Sequence, residues 1–490
     1  MQNENTKSLV ISSLIWKYLE RIGYQGIQFI VSIILARLLL PSDYGAIAMI
    51  TVFIAISEVF IQSGFSSALI QQKDVDDLDF SSVFYAGLAI SIVIYLILFF
   101  ASPLIAKFYN MPIITSVLRV LALVLIIGSI NSVQISKISR EMKFKKLFLS
   151  NLGAVLFSGS IGILLAYLNY GVWALVAQQI VFNLMSTIIL TFTSGWKPKL
   201  MFSFKRLKKL FSFGWKMLCS GLLDTVYRNI YNLVIGKKFN SETLGLYNKG
   251  EQIPKLVTVN IDGAISSVML PAYSKEQENK DKLKKMVKRT ISTSSYLLFP
   301  LMFGLVATAE PVILVLLTEK WGGAIPFLRL LALVYMLYPI STANLQAIKA
   351  VGRSDYYLKL EIIKKVFGIV VLFLTVPYGI YVMTIFHFIT TFISTIMNAY
   401  PTKKLLNYGY LEQIKTVLPA LLLSIAMFIP VYLLNYLNIK PILLLFIQIP
   451  LGGIIYISLS AIFKVDSFVY LFNTVKDFIK KKKVKKWKEF

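Results

Sequence analysis

The sequence is poor in almost everything that soluble enzymes use. One cysteine, Cys219, stands in 490 residues, so no intrachain disulfide can form and the redox compartment stays unmarked. One histidine, His387, excludes any site that needs two imidazole ligands. No G-x-x-x-x-G-K-S/T loop is present to cradle a nucleotide phosphate, and no G-x-S-x-G turn to present a nucleophilic serine. No catalytic residue, metal or cofactor is assigned. Charge is scarce at 15% of residues, against about a quarter in a soluble chain. Acid is scarcer still, with 24 Asp and Glu against 51 Lys and Arg, a net charge of +27. Apolar residues fill the space, at 57% of the chain with a mean hydropathy of +0.70. A water-soluble fold of this length needs more charge on its surface, and the composition also excludes disordered, collagenous and disulfide-stapled chains. It predicts an all-α polytopic membrane protein.

A spanning helix needs about 20 mainly apolar residues. Fourteen such runs lie near 13–36, 45–70, 81–106, 116–136, 147–168, 171–194, 211–235, 245–271, 292–317, 326–348, 358–376, 380–401, 416–435 and 441–463. The runs 211–235 and 245–271 carry the most charge. The first run is too long for a signal peptide and lacks a cleavage site. Basic residues set the orientation. With the N-terminus inside, 35 Lys and Arg fall in cytoplasmic segments and 6 in external loops. A missed span would scramble that alternation, so the bias supports both the span count and cytoplasmic termini. Loops are short on both sides, which counts against polymerases and ligases that work through a large external loop.

The two halves of the chain repeat. Gly45 recurs as Gly245, and Phe65-Ser66-Ser67-Ala68 as Ile265-Ser266-Ser267-Val268. Leu118–Val124 recurs as Leu328–Val334, and Ser186-Thr187-Ile188 as Ser394-Thr395-Ile396. Spans 1–6 therefore recur as spans 7–12 in the same orientation, an architecture of transporters with the substrate path at the repeat interface. This divides the chain into two six-helix lobes at 1–200 and 201–410, a helix pair at 411–464, and a polybasic cytoplasmic tail at 465–490.

A charge at membrane depth costs roughly 2.5–3.5 kcal/mol on insertion scales, so its position is informative. Here the charges concentrate in four spans, the first pair of each repeat. Lys17, Glu20 and Arg21 lie in span 1, Glu58 in span 2, Lys216, Asp224 and Arg228 in span 7, and Lys249, Glu251, Lys255 and Asp262 in span 8. Their spacing puts them on stripes: Lys17, Arg21, Tyr24 and Gln28; Thr51, Glu58, Gln62 and Ser66; Ser220, Asp224, Arg228 and Tyr231; Glu251, Lys255 and Asp262. Four polar stripes on repeat-related helices read as the wall of one hydrated cavity. A structural reading stands beside this one. Asp224–Arg228 and Glu251–Lys255 are i,i+4 pairs able to neutralise each other, and Lys17 and Lys216 lie near enough to span ends to snorkel. Arg119 and Arg329 open spans 4 and 10 as interfacial anchors.

Other features are weaker. Asp74, Asp76, Asp77 and Asp79 include an Asp-Leu-Asp triplet of the kind glycosyltransferases use on a metal–nucleotide. The triplet sits in a short loop between spans, so a solvated loop is expected. His387 is expected to make an interhelical hydrogen bond. The run Lys480–Lys483 with Lys485, Lys486 and Lys488 follows the last span and reads as a clamp on anionic lipid headgroups; nucleic acid is not an expected partner.

Several segments carry a resemblance: Ala36–Gly45 (ARLLLPSDYG), Gly64–Gln71, Tyr170–Val176 (YGVWALV), Ile235–Lys238, Leu244–Lys249 (LGLYNK) and Glu319-Lys320-Trp321. In this order and spacing the chain resembles the polysaccharide-transporter branch of the multidrug/oligosaccharidyl-lipid/polysaccharide (MOP) superfamily. These are the Wzx-type exporters of O-antigen, capsule and teichuronic-acid units, and the branch has fourteen helices. The resemblance implies a V-shaped pair of six-helix lobes in the bacterial cytoplasmic membrane that works by alternating access. It implies an undecaprenyl-pyrophosphate-linked oligosaccharide as substrate, a working monomer, and a polysaccharide polymerase and chain-length regulator as partners. An anionic pyrophosphate needs a wet basic site, which makes Lys17, Arg21, Arg228, Lys249 and Lys255 the substrate-binding candidates. Glu20, Glu58, Asp224 and Asp262 are the candidates for gating or ion coupling. The alternatives are a cation-coupled small-molecule exporter of the multidrug type, for which a more acidic lobe is expected, and a membrane glycosyltransferase, for which a catalytic constellation is missing.

Overall fold

A computed structural model describes residues 23–62, 65–72 and 74–487. Every regular element among them is helical. The first is α1 (Gly23–Leu38), followed by α2 (Pro41–Gln62) and α3 (Phe65–Gln71). Next come α4 (Asp77–Tyr109), α5 (Ile113–Leu121), α6 (Leu123–Arg140), α7 (Phe144–Tyr167), α8 (Val172–Ser194) and α9 (Phe204–Lys238). Then follow α10 (Ser241–Ser274), α11 (Lys280–Ala307), α12 (Ala309–Leu316), α13 (Ile325–Tyr335) and α14 (Tyr338–Ala350). The last are α15 (Ser354–Thr375), α16 (Ile380–Leu406), α17 (Tyr410–Leu433), α18 (Pro441–Ile462) and α19 (Asp466–Trp487).

Over its described residues, each of the fourteen predicted spans falls on one helix or on two helices in succession. Among the described residues, eleven helical stretches are long and apolar enough to cross a membrane. The remaining three expected spans correspond to α1, described only from Gly23, and to α9 and α15, whose helices run the required length but carry more charge. The chain is thus an all-α, multi-pass membrane protein. Large apolar side chains stand exposed along α4, α15, α16 and α18, among them Phe100, Leu104, Phe373 and Phe446. Lipid tails are as apolar as leucine, so such faces need no protein cover and helix association falls to packing and buried hydrogen bonds.

The chain forms two compact units, Met1–Gly245 and Leu246–Phe490. In the first, α9 packs on α2, α3 and α4. Polar seams join helices there: Asn131 Nδ2 donates to Thr187 Oγ1 at 3.2 Å, and Ser91 Oγ to Ser129 Oγ at 3.1 Å. In the second unit, Ser341 and Thr395 hydroxyls meet at 3.2 Å, and Asn344 and Gln413 exchange two amide hydrogen bonds of 2.9 Å. Ser341 and Thr395 occupy the repeat positions of Asn131 and Thr187, so the repeat seen in the sequence recurs as a repeated helix contact. The repeat-related Arg119 and Arg329 each reach a polar group on another helix, of different kind. Arg119 Nε donates to Ser102 Oγ at 2.9 Å, and Arg329 reaches Glu310 at 3.8 Å.

The start of α10 lies within the first unit and meets the start of α2 backbone to backbone. A Cβ on Gly45 would come 1.6 Å from the Ser241 carbonyl oxygen, and one on Gly245 would come 1.9 Å from that of Pro41. The repeated glycine is therefore a steric requirement on both helices.

Candidate functional site

Lys17, Glu20 and Arg21 lie outside the described residues. The other candidates fall on α2, α9 and α10. A helix places residues four apart one above the other, and α9 uses this spacing. Arg228 Nε donates to Asp224 Oδ2 at 2.7 Å, with the arginine side chain 75% exposed. The ion pair lowers the cost of carrying charge on an apolar helix but leaves the guanidinium accessible. Glu58 on α2 is exposed as well. A Cβ on Gly221 of α9 would lie 3.1 Å from Val59 Cγ1, so the two helices touch one residue from Glu58 and about one turn from Asp224.

In the second unit, α10 presents a different arrangement. Lys249 is buried at 5% exposure; its Nζ donates to Gln252 Oε1 at 3.1 Å and lies 5.8 Å from the centre of the Trp321 ring. The segment Glu319–Ala324 reaches this site because α10 carries Gly250. A Cβ there would stand 2.7 Å from Phe327 Cβ and 3.0 Å from the Ala324 carbonyl oxygen. Two motifs far apart in sequence, Leu244–Lys249 and Glu319–Trp321, thus meet in one packed contact.

Two residues beyond Lys249, both carboxylate oxygens of Glu251 are engaged. Tyr335 on α13 donates its hydroxyl to Oε1 at 2.7 Å, and Lys255 donates Nζ to Oε2 at 3.0 Å. Glu251 is 17% exposed and Lys255 53%, so an enclosed acid holds a cation that faces outward. His387 on α16 lies within electrostatic reach of both. Asp262 continues the stripe; its Oδ1 is buried with no hydrogen-bond partner among the described residues, and Thr342 of α14 is its neighbour. Of the basic candidates described, Arg228 and Lys255 are therefore accessible, each held by an acid one turn away, while Lys249 is packed.

Tyr335, Gln252 and Trp321 were missing from the sequence-based set. Gln252 lies on α10 three residues from Lys249, a spacing that could have found it; no spacing rule links Tyr335 and Trp321 to α10, because their contacts cross between elements. Glu251 was visible as a member of the stripe, but its role as the shared acceptor was not.

The Asp74–Asp79 loop is more ordered than a solvated loop. Asp76 accepts from the Asp79 backbone N–H at 3.0 Å, and Asp79 returns the bond to the Asp76 N–H at 3.2 Å, a capping box that starts α4. Arg206 at the start of α9 bridges Asp79 at 3.2 Å and Asp76 at 3.3 Å, while Lys199 binds Asp77 at 2.6 Å. The Asp79 backbone N–H, helped by Arg206, holds the Asp76 carboxyl below its usual range. Asp76, Asp77 and Asp79 are thus occupied by bases, and no group of three or more His, Cys, Asp or Glu able to hold a metal occurs among the described residues.

Residues 34–326 match the family described as "Polysaccharide biosynthesis protein". The chain belongs to this family. The succinoglycan biosynthesis transport protein ExoT of Rhizobium meliloti is 31% identical over 346 residues, 69% of each chain. The teichuronic acid biosynthesis protein TuaB of Bacillus subtilis is 25% identical over 301 residues, 61% of this chain and 62% of its own. Among solved structures, the lipid II flippase MurJ in an inward closed conformation superposes with a TM-score of 0.76 at 17% identity, covering 93% of this chain and 99% of that one. An inward-facing multidrug transporter of the MATE family and MOP superfamily superposes at 0.59 with 15% identity, covering 85% and 98%. The chain shares its fold with these two transporters. Membership in the polysaccharide biosynthesis family, with a relative named as a transport protein, accords with the reading from sequence.

Proposed function

We propose that the chain is a flippase that moves lipid-linked oligosaccharide, with undecaprenyl pyrophosphate as the carrier, across the bacterial cytoplasmic membrane for surface polysaccharide synthesis. The match to the polysaccharide biosynthesis family over residues 34–326 carries this reading. The accessible cations Arg228 and Lys255 support it, because a pyrophosphate needs positive charge at membrane depth while a prenyl tail can stay in lipid. In this reading the repeats at 1–200 and 201–410 exchange access to the two sides, with both termini cytoplasmic. Lys17, Arg21, Arg228, Lys249 and Lys255 serve the headgroup, and Glu20, Glu58, Asp224 and Asp262 gate it or couple it to an ion. The helix pair and the polybasic tail complete a monomer that binds anionic lipids and works beside a polymerase and a chain-length regulator.

A cation-coupled small-molecule exporter is the second reading, favoured by the superposition on the MATE transporter. Deleting the gene in its host separates the two. A flippase predicts inner-leaflet accumulation of lipid-linked oligosaccharide and loss of surface polymer, restored by the wild type but not by Arg228→Ala with Lys255→Ala. Normal surface polymer without accumulation would promote the exporter. Rescue by the double variant would keep the flippase and remove these two residues from its site.

A further inference from the structure

Prolines interrupt the helical ladder at matching places in the two halves, and the halves repair it differently. A proline has no N–H, so the carbonyl four residues before it loses its helical donor. Within a span no water replaces that donor, and a neighbouring side chain must. In the first unit, Pro103 of α4 leaves the Phe99 carbonyl in this position. Arg119 of α5 supplies the bond: its Nε donates to the Phe99 carbonyl at 3.2 Å, beside Ser102 Oγ, which donates to it at 2.7 Å. In the second unit, Pro311 stands eighteen residues before Arg329, much as Pro103 stands sixteen before Arg119. Pro311 leaves the carbonyl of Ala307, the last residue of α11, without its donor. The ladder runs on to either side, with the Thr308 N–H on the Gly304 carbonyl and the Val312 N–H on that of Thr308, both at 2.9 Å. Arg329 does not repair this break; its Nε has no hydrogen-bond partner among the described residues. The donor is Asn435, in the turn Leu434–Tyr436 after α17, whose Nδ2 donates to the Ala307 carbonyl at 2.8 Å. Asn435 is in turn held by α18, where buried Gln448 donates Nε2 to Asn435 Oδ1 at 3.1 Å and to the Val431 carbonyl at 2.9 Å. The same helix pair repairs a second break. Pro300 of α11 leaves the Tyr296 carbonyl without its donor, and buried Tyr456 of α18 donates its hydroxyl to that carbonyl at 2.8 Å.

We propose that α17 and α18 brace α11, with Asn435 and Tyr456 as positioning residues that stand in for the N–H groups missing at Pro311 and Pro300. The first half closes its break with an arginine of its own repeat; the second relies on the helix pair that follows the repeats. Packing of α17 and α18 on α11 accounts for contact between these helices. It does not require that donors from two different elements each land on a carbonyl four residues before a proline. Residues of α11, among them Leu283, Val287, Leu298 and Met302, form much of the core of the second unit, so the pair fixes the helix around which that unit is built. The proposal is independent of what the protein transports.

Double-mutant cycles on the full-length protein test it, read by melting temperature and by hydrogen exchange across residues 292–316. Asn435→Leu is expected to lower the melting temperature and to speed exchange around Ala307 about tenfold, the effect of stranding one buried carbonyl. In a Pro311→Ala background, where residue 311 regains its N–H, the same change is expected to alter exchange less than about twofold. Tyr456→Phe removes a single oxygen and is expected to couple in the same way to Pro300→Ala; it carries the test if Asn435→Leu does not fold. The crossed pairs, Asn435→Leu with Pro300→Ala and Tyr456→Phe with Pro311→Ala, are expected to be additive. Arg119→Met should couple to Pro103→Ala, and Arg329→Met should not couple to Pro311→Ala. Losses of equal size with proline and with alanine would overturn the brace and leave ordinary packing. Exchange unchanged by both Asn435→Leu and Tyr456→Phe would overturn it as well.

Discussion

Lys255 owes its position to Glu251. An ammonium on an apolar helix seeks either water or an acid, and here an enclosed carboxylate gives it the acid while Tyr335 fixes that carboxylate from the other side. Glu251→Gln keeps an acceptor for Tyr335 and removes the charge that aims Lys255. Hydrogen bonds to charged groups are worth about 1.5–3 kcal/mol, so transport is expected to fall roughly tenfold or more. Tyr335→Phe, which leaves the ion pair in place, should cost only a few-fold. Both are read from the rate of glycan transfer in reconstituted vesicles, and equal losses would mean that the pair and the phenol act as one unit. The i,i+4 spacing made Asp224–Arg228 and Glu251–Lys255 legible in the sequence as pairs. It did not show which partner is enclosed, nor that Lys249 packs under Trp321, because burial follows from contacts between helices that no local spacing records.

At the scale of elements, the segment 195–206 is fastened to the start of α4. Trp196 is buried beside Phe80 and Phe84, the Ser203 N–H donates to Ser82 Oγ at 2.9 Å, and Arg206 spans both ends of the capping box. Arg206→Ala leaves nearly buried Asp79 without its cation and is expected to lower the unfolding temperature of the purified protein. An unchanged transition would show the latch to be ornamental. The fastening also has a pH dependence. Asp76 has a lowered pKa, so its contribution is complete above the usual carboxylate range and is lost as pH falls through the lowered value. Asp76→Asn, which preserves the N-cap, should therefore narrow the difference in thermal stability between pH 7 and acid. Three of the four loop aspartates, Asp76, Asp77 and Asp79, looked solvated because their partners, Lys199 and Arg206, lie more than a hundred residues away in sequence.

At the scale of the whole molecule, the repeat is the strongest regularity, and it was readable early because helix contacts preserve small residues and paired polar ones. Gly45 and Gly245 recur because each lets the other helix start approach at backbone distance. A valine at either position needs several ångströms that are absent, so Gly45→Val and Gly245→Val are each expected to abolish stable folding, with overpacking costs above the usual ~1–3 kcal/mol. A well-folded Gly45→Val protein, judged by monodisperse elution and an unchanged melting transition, would contradict the contact. The span count was legible from apolar length, and the alternation of basic residues supported it; α9 was the hardest span to read because Lys216, Asp224 and Arg228 interrupt its apolar run, the last two as its own i,i+4 pair.

The central claim is movement of a lipid-linked oligosaccharide from one leaflet to the other. Purified protein in vesicles loaded with undecaprenyl-pyrophosphate-linked oligosaccharide on both leaflets tests this directly, when an external glycosidase trims the exposed sugar. The account predicts that cleavage stops near half without protein, proceeds towards completion with the wild type, and slows at least tenfold with Arg228→Ala plus Lys255→Ala. Cleavage that stays near half with a well-folded wild-type protein, under a membrane potential and under proton and sodium gradients, would contradict it.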